Sequence, residues 1–249
     1  GGRGIMFQFP TSPQEAGKGV LVSFVSVRQG AGASSLACMA AISAASIQDV
    51  SLIDFNPESK VRAYLGYPGA EVSTLSILNI NSVNSPEIIF SASEQHHTGI
   101  KVFPGVIPKV TDAQLIDSKL VMKATTYLKQ RSPLTIAVLG PLYSTSWVIP
   151  MISDLVCVVV KPDRPNMDNF RDTVDFLARL GCSGRIKIIL NQQGYPGCID
   201  AEGSIKWFAP DIIIPYNKNI AVDCNRRELK PDRKIKDQLL KIMKGAEDI

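Results

Sequence analysis

Short apolar runs recur along the chain, and polar or helix-forming stretches separate each run from the next. Seven of these runs, each four to eight residues long, predict β-strands because they are rich in aliphatic residues and end near polar or turn residues. The predicted strands are residues 19–26, 50–54, 100–103, 134–139, 155–160, 185–190 and 211–214.

Helical stretches lie between several of the strands and at the end of the chain. They predict helices over residues 34–46, 112–130, 168–180 and 233–244, the second of them capped at Thr111 and Asp112. Nearly continuous apolar strands that alternate with helices are typical of a mainly parallel sheet covered on both faces. We therefore predict one doubly wound α/β domain over residues 19–249, with ligands bound beyond the carboxyl ends of its strands.

The first 18 residues are rich in Gly, Pro, Ser and Gln and predict a linker. Because the chain starts at Gly1 rather than at Met, we expect a further region to precede it.

The composition is that of a globular protein, with 45% hydrophobic and 20% charged residues. The apolar runs are far shorter than the roughly 20 residues of a membrane-spanning helix, and no signal peptide is visible. Five cysteines without a CxxC pair favour reduced thiols, and thus a cytoplasmic protein. The formal net charge of +4 permits contact with DNA or an anionic membrane surface but favours neither.

A glycine-rich turn joins the first strand to the first long helix. Glycines let backbone N–H groups turn inward, and a helix N-terminus favours an anion, so this turn is a candidate phosphate loop. The usual loop has a lysine where Ala33 stands, whereas Ser34 keeps the hydroxyl that can bind Mg²⁺. Taken alone, the pattern leaves open a turn with no ligand. The candidate residues are Arg28, Gln29, Gly30, Ala31, Gly32, Ala33, Ser34 and Ser35.

The loop resembles the deviant phosphate loop of the MinD/ParA ATPases, K-G-G-x-G-K-[ST]-T. The resemblance extends over most of residues 19–245 through the segments 50–57, 154–162, 188–191 and 214–217. It implies a P-loop NTPase fold, a homodimer, and ATP or ADP as ligand, with Mg²⁺ at Ser34. It also implies that Arg28 reaches the partner's phosphates, a role suited to a guanidinium. The other implied nucleotide-binding residues are Asp54, Asn191, Pro215 and Tyr216.

Two further passages, residues 99–105 and residues 176–181 with 186–191, are similar to the TadZ/CpaE branch of that family. This resemblance implies a factor that localises or assembles a Flp/Tad-type pilus, with pilus-assembly proteins as partners and a position at the membrane or the cell pole. It also implies a receiver-like domain before residue 1.

Three positions depart from the family pattern. Ala33 replaces the lysine, Asn56 replaces the second Asp of D-x-D, and Leu139 replaces the Walker B Asp. Phosphoryl transfer depends on such charged and water-orienting groups, so we expect binding with little or no hydrolysis. Two alternatives stay open, namely a slow ATPase in which Arg28 substitutes for the lysine, and an interaction module that binds no nucleotide.

Three other features are weaker candidates. The pair His96 and His97 predicts a solvated loop rather than a metal site, since no further ligand stands at metal spacing. Asp154 predicts a turn or a cap. The basic helix 233–244 predicts packing onto the sheet, with membrane-surface binding and DNA binding as less favoured functions.

Overall fold

The computed structural model describes residues 10–56, 60–67, 93–103, 118–142 and 145–245. The strands in this part are β1 (Val20–Ser26), β2 (Val50–Asp54), β3 (Glu94–Gln95), β4 (Lys101–Phe103), β5 (Leu134–Gly140), β6 (Leu155–Val160), β7 (Ile186–Gln193) and β8 (Ile212–Pro215). The helices are α1 (Pro13–Ala16), α2 (Ala33–Ala45), α3 (Val61–Tyr64), α4 (Ser118–Arg131), α5 (Ile149–Ile152), α6 (Arg164–Arg179), α7 (Ala201–Phe208), α8 (Lys218–Arg226) and α9 (Arg233–Lys244). Short 3₁₀ turns lie at Thr145–Val148 and Ser183–Arg185.

The eight strands form one sheet in the order β3-β4-β2-β5-β1-β6-β7-β8. Every neighbouring pair is parallel except β3 and β4, which are antiparallel. From β1 the chain turns to β2 on one side, whereas β6, β7 and β8 lie on the other side. The strand order therefore changes direction beside β1, which places a crevice at the end of that strand.

Two apolar clusters cover the two faces of the sheet. One contains Val22 and Phe24 of β1 together with α2 and α9, and the other contains Leu21 and Val25 together with α4, α5 and α6. Alternate residues of a strand point to opposite faces, so β1 contributes to both clusters. The predicted fold class, a mainly parallel sheet with helices on both faces, is confirmed.

Helix α2 is almost wholly enclosed, with ten of its 13 residues buried. Five of those ten are alanines, whose small side chains let the helix lie close to the sheet. Helix α9 packs on the same face, burying Ile235, Leu239, Ile242 and Met243. The interpretation that this last helix packs on the domain is confirmed.

Several boundaries differ from the sequence prediction. Helix α6 starts at Arg164 rather than at residue 168, because Asp163 caps it by accepting the N–H of Asn166 and Pro165 fits the first turn. Helices α7 and α8 and the two-residue strand β3 were not predicted, because short elements carry too little apolar periodicity. The predicted helix start at residues 111–112 lies outside the described residues.

The described part of the predicted linker packs on the domain. Helix α1 buries Pro13 and Ala16, and the Nζ of Lys129 donates a 2.9 Å hydrogen bond to the carbonyl of Pro13. Lys129 is fully buried, and its Nζ lies 2.7 Å from Oδ2 of Asp154. The same oxygen accepts the N–H of Leu21 at 2.7 Å. Asp154 therefore joins the N-terminal segment, α4 and the start of β1.

None of the described helices is both long enough and apolar enough to cross a membrane.

Candidate functional site

The glycine-rich turn lies at the carboxyl end of β1, beside the reversal of strand order. Gly30 and Gly32 adopt φ of 84° and 100°, a region that residues with a Cβ rarely enter. At Gly32 a Cβ would also collide with Nδ2 of Asn191, so space as well as backbone conformation favours glycine. The turn thus passes unusually close to the end of β7.

Asn191 holds the turn in place from β7. Its Nδ2 donates a 2.8 Å hydrogen bond to the carbonyl of Ala31, and Nε2 of Gln192 lies 3.4 Å from the carbonyl of Gly30. The register between β7 and β8 shifts here, and Gln192 has a φ of 61°. Such an irregularity redirects side chains at a strand end, and here it allows two consecutive residues to face the turn.

Helix α2 presents an uncapped N-terminus to the crevice. Its N-cap residue, Gly32, has no side chain, and the Oγ of Ser35 donates back to the Gly32 carbonyl at 2.9 Å. The first-turn N–H groups therefore lack a side-chain acceptor, and together with the helix dipole they favour an anion.

Asn56 lies between the turn and the end of β5. Its Nδ2 lies 3.4 Å from the Oγ of Ser34, and a Cβ on Gly140 would come within 2.8 Å of its side-chain amide. Below it, Asp54 is completely buried, and its two carboxylate oxygens accept the N–H groups of Asn56 at 3.0 Å and Val61 at 3.3 Å. Asp54 therefore shapes the floor of the site.

These elements enclose a cavity of about 280 Å³, near the lower end of the roughly 300–1,000 Å³ typical of ligand pockets. Nine of the predicted residues line it: Gln29, Gly30, Gly32, Ala33, Ser34, Ser35, Asn191, Pro215 and Tyr216. The loop and the N-terminus of α2 contribute to the lining, and so do Tyr216 and α8.

Three predicted site residues lie elsewhere. Ala31 is buried in the core beneath the turn, and Asp54 lies below the cavity wall. Arg28 is exposed and lines a second depression of about 320 Å³, which it shares with Asp172 and Phe176 of α6. Leu139 is buried in the core on the face opposite α2.

Sequence reasoning missed Lys60, Tyr64 and the α8 residues that complete the cavity wall: Ile220, Ala221, Cys224 and Asn225. These residues come from separate segments that only the fold brings together, and no sequence motif marks them. Burial raises the pKa of Tyr64 to about 12 and that of Cys224 to about 11. Both groups are neutral at pH 7, so Lys60 is the one charged side chain among the described residues that line the cavity.

His96 lies away from the cavity and is mostly buried beside Tyr67, with ring centroids 6.1 Å apart. Its Nδ1 and the Oγ1 of Thr98 are 2.7 Å apart. Burial and the neighbouring His97 lower the pKa of His96. Within the described part of the chain, no group of three or more His, Cys, Asp or Glu side chains is arranged to hold a metal ion.

A doubly wound parallel sheet, with a glycine-rich turn that leads from a central strand into a helix N-terminus, defines an α/β protein of the P-loop NTPase fold. In particular, the chain has the fold of the ParA and MinD ATPases. It superposes on the ParA family ATPase of Chlorobium tepidum TLS with a TM-score of 0.72 and 16% identity, covering 93% of this chain and 100% of that one.

Two nucleotide complexes are also similar. The MinD protein of Pyrococcus horikoshii complexed with Mg-ADP gives a TM-score of 0.71 and 17% identity, covering 93% of this chain and 96% of that one. A plasmid partition protein of Borrelia burgdorferi bound to AMPPNP gives 0.70 and 12%, covering 93% and 100%. No family model and no curated protein matches the sequence.

Proposed function

We propose that this chain binds ATP or ADP with little or no hydrolysis and acts as a homodimeric localisation or assembly factor. The observation that carries the proposal is the cavity itself, whose lining combines an uncapped helix N-terminus and a glycine-rich turn with Tyr216 and residues of α8.

The loop end of the cavity suits the phosphates. Gly30 and Gly32 bend the backbone around it, and the first turn of α2 presents N–H groups without a side-chain cap. Nucleotide complexes of two proteins with the same fold support this choice of ligand.

The part of the lining formed by Tyr216 and α8 suits the base. Tyr216, Ile220 and Ala221 supply a flat ring and aliphatic surface, which is the kind of surface a purine packs against. Asn191 donates through Nδ2 to the loop, which leaves its Oδ1 to accept a hydrogen bond from an adenine amino group.

Mg²⁺ would depend mainly on the nucleotide. Ser34 offers one hydroxyl, and the described lining residues include no carboxylate, so phosphate oxygens and water would supply the remaining ligands. The same lack of a carboxylate leaves no general base among these described residues to orient an attacking water, because Asn56 is an amide and Leu139 is enclosed in the core. This is the physical reason to expect little or no turnover.

The dimer and the cellular role rest on the resemblance in sequence. Arg28 lies outside the cavity of its own protomer and is exposed, as a residue that contacts a partner's phosphates must be.

The pilus-assembly role rests on the similarity to the TadZ/CpaE branch. A fluorescent fusion in the native cells should form foci at the cell pole, and removal of the protein should reduce surface pili.

Calorimetric titration with ATP and ADP, with and without Mg²⁺, tests binding, and a phosphate-release assay on the same sample tests turnover. Gly32→Val should abolish binding, because its side chain would collide with Asn191 and fill the loop. Gly181→Val is the matched control, since Gly181 has a φ of 79° but open space around it and does not line the cavity.

The outcomes distinguish the proposed function from the two alternatives, a slow ATPase and an interaction module. Binding without turnover supports the proposal. Robust turnover would overturn the proposal that hydrolysis is lost, and slow turnover that Arg28→Ala abolishes would indicate the slow-ATPase alternative. Absence of binding at millimolar ATP would leave a nucleotide-free interaction module.

A further inference from the structure

The geometry points to Lys60 as the side chain that neutralises phosphate charge in the cavity, in place of the lysine that Ala33 replaces. This inference rests on the proposed function, and it assigns a phosphate-binding residue to a segment outside the loop.

The charge distribution of the cavity singles out Lys60. The described lining residues comprise backbone groups, hydroxyls, amides, apolar side chains and this one ammonium. No carboxylate in the described part of the chain forms an ion pair with it. An ammonium without a carboxylate partner among these residues, in the lining of a cavity that already favours anions, can bind phosphate.

The backbone of Lys60 is held in place. Asp54 at the end of β2 accepts the N–H of Val61, the residue that follows Lys60, through one oxygen and the N–H of Asn56 through the other. The carbonyl of Lys60 also accepts the N–H of Tyr64 at 3.0 Å, which closes the turn of α3. The backbone of Lys60 therefore adjoins a residue that shares the Asp54 carboxylate with Asn56, and Nδ2 of Asn56 lies 3.4 Å from the Oγ of Ser34.

The other cations close to the site are directed elsewhere. Arg62 forms a 3.0 Å ion pair with Glu94 and does not line the cavity. Arg28 lines the depression against α6. Ala33, at the usual lysine position, is 2% exposed and has no charge to offer.

A lysine at the phosphate end should make affinity depend on the number of phosphates. We expect the unaltered chain to bind ATP more tightly than ADP, and ADP more tightly than AMP. The ATP affinity should also fall as salt rises, because an exposed ammonium–phosphate contact is screened.

The test compares Kd values for ATP, ADP, AMP and adenosine among the unaltered chain, Lys60→Gln and Lys60→Arg. Lys206→Gln makes the same charge change on the exposed surface of α7 and serves as control. Lys60→Gln should weaken ATP binding about ten- to hundredfold, the range for a hydrogen bond to a charged group. Adenosine binding should stay unchanged, and Lys60→Arg and Lys206→Gln should bind ATP within a few fold of the unaltered chain.

A second variant tests the substitution for the missing lysine directly. Adding Ala33→Lys to Lys60→Gln should restore most of the lost ATP affinity, provided thermal unfolding shows that the double variant folds. If the double variant does not fold, the comparison with Lys60→Arg decides.

The measurements distinguish failure of the proposed nucleotide binding from failure of the Lys60 inference. If the unaltered chain binds no nucleotide, the proposed function falls and the role of Lys60 falls with it. If the unaltered chain binds ATP and Lys60→Gln binds it equally well, the Lys60 inference alone is overturned. Equal losses for ATP and adenosine would likewise overturn it, because they would indicate a distorted cavity rather than a lost phosphate contact.

Discussion

The side chain of Asn191 occupies the space that a Cβ at residue 32 would need, so each of these two residues limits which residue type fits at the other position. The amide of Asn191 holds the Ala31 carbonyl at 2.8 Å, and it can do so because Gly32 has no Cβ to occupy the same space. A position can require glycine because a neighbouring side chain leaves no room for a Cβ, or because its φ is positive. Both requirements apply to Gly32.

This pairing predicts a coupled effect on stability. Gly32→Ala should cost about 2 kcal/mol less in an Asn191→Ala background than in the unaltered chain, because the collision is removed and only the backbone strain remains. Urea unfolding of the four proteins measures the coupling. Gly181→Ala should cost the same in both backgrounds, and an equal cost for Gly32→Ala in both would contradict the pairing.

His96 predicts a pH dependence of stability. Burial and His97 lower its pKa from the usual 6.5, so the unfolded chain binds this proton more readily than the folded one. The stabilising contribution is therefore fully present above pH 6.5 and is lost as the pH falls through the lowered folded-state pKa.

The free energy of unfolding, measured in urea between pH 5 and pH 8, should accordingly decline below about pH 6.5. His96→Asn should flatten that decline, since an amide can still accept from Thr98 but does not titrate. His97→Asn, at an exposed position, should leave most of the decline in place. A slope unchanged by His96→Asn would assign the effect to other groups.

Among the elements, α4 shows how a charged residue can join three segments. Lys129 lies in the apolar interior, where its Nζ contacts Asp154 at 2.7 Å and the carbonyls of Pro13 and Ile152 at 2.9 and 3.3 Å. A lysine in a helix usually predicts a solvated face, so the burial of Lys129 could not be predicted from the sequence. The contact explains why α1 lies against the domain.

Removing one partner of this ion pair should be costly. Lys129→Met should lower the free energy of unfolding by about 3 kcal/mol, because it leaves the Asp154 carboxylate, whose side chain is 22% exposed, without its cation. Lys187→Met is the matched control, since Lys187 and Asp211 form a 3.0 Å pair with side chains 44% and 35% exposed. That change should cost no more than about 1 kcal/mol. Similar losses for the two variants would contradict the role of the buried pair.

The elements also show what sequence could and could not predict. The seven predicted strands are all present, because buried parallel strands are apolar along their whole length. The loop at residues 28–35 could likewise be found, since its glycines and its place after β1 form a local pattern. Lys60 and α8 could not, because they reach the cavity through tertiary packing and carry no periodic or motif signal of their own.

At the scale of the whole molecule, the glycine-rich loop borders both the nucleotide cavity and the depression against α6. Gln29 borders both of them, whereas Arg28 faces only the depression against α6. We expect a nucleotide in one protomer's cavity and Arg28 at the surface where a second copy approaches.

Arg28→Ala should therefore leave the Kd of a protomer for ATP within about twofold but abolish any ATP-dependent dimer, because one guanidinium–phosphate contact across the interface is lost. Light scattering with and without ATP measures the dimer, and calorimetry measures the affinity. Arg179→Ala, an exposed change on α6, should affect neither. A large loss of ATP affinity in Arg28→Ala at a monomeric concentration would instead place Arg28 in its own cavity.

The position of β1 has a mechanical consequence. Its first residues are tied to Asp154 and thereby to the segment that contains α1, and its last residue leads into the glycine-rich turn. It is paired with a parallel strand on each side, through six residues of β5 and through five of β6. Tension applied at the N-terminal segment along this strand would load both ladders in shear, so many hydrogen bonds would resist at once. The N-terminal segment, at the end of β1 opposite the cavity, should therefore resist a pulling force better than a segment attached to an edge strand.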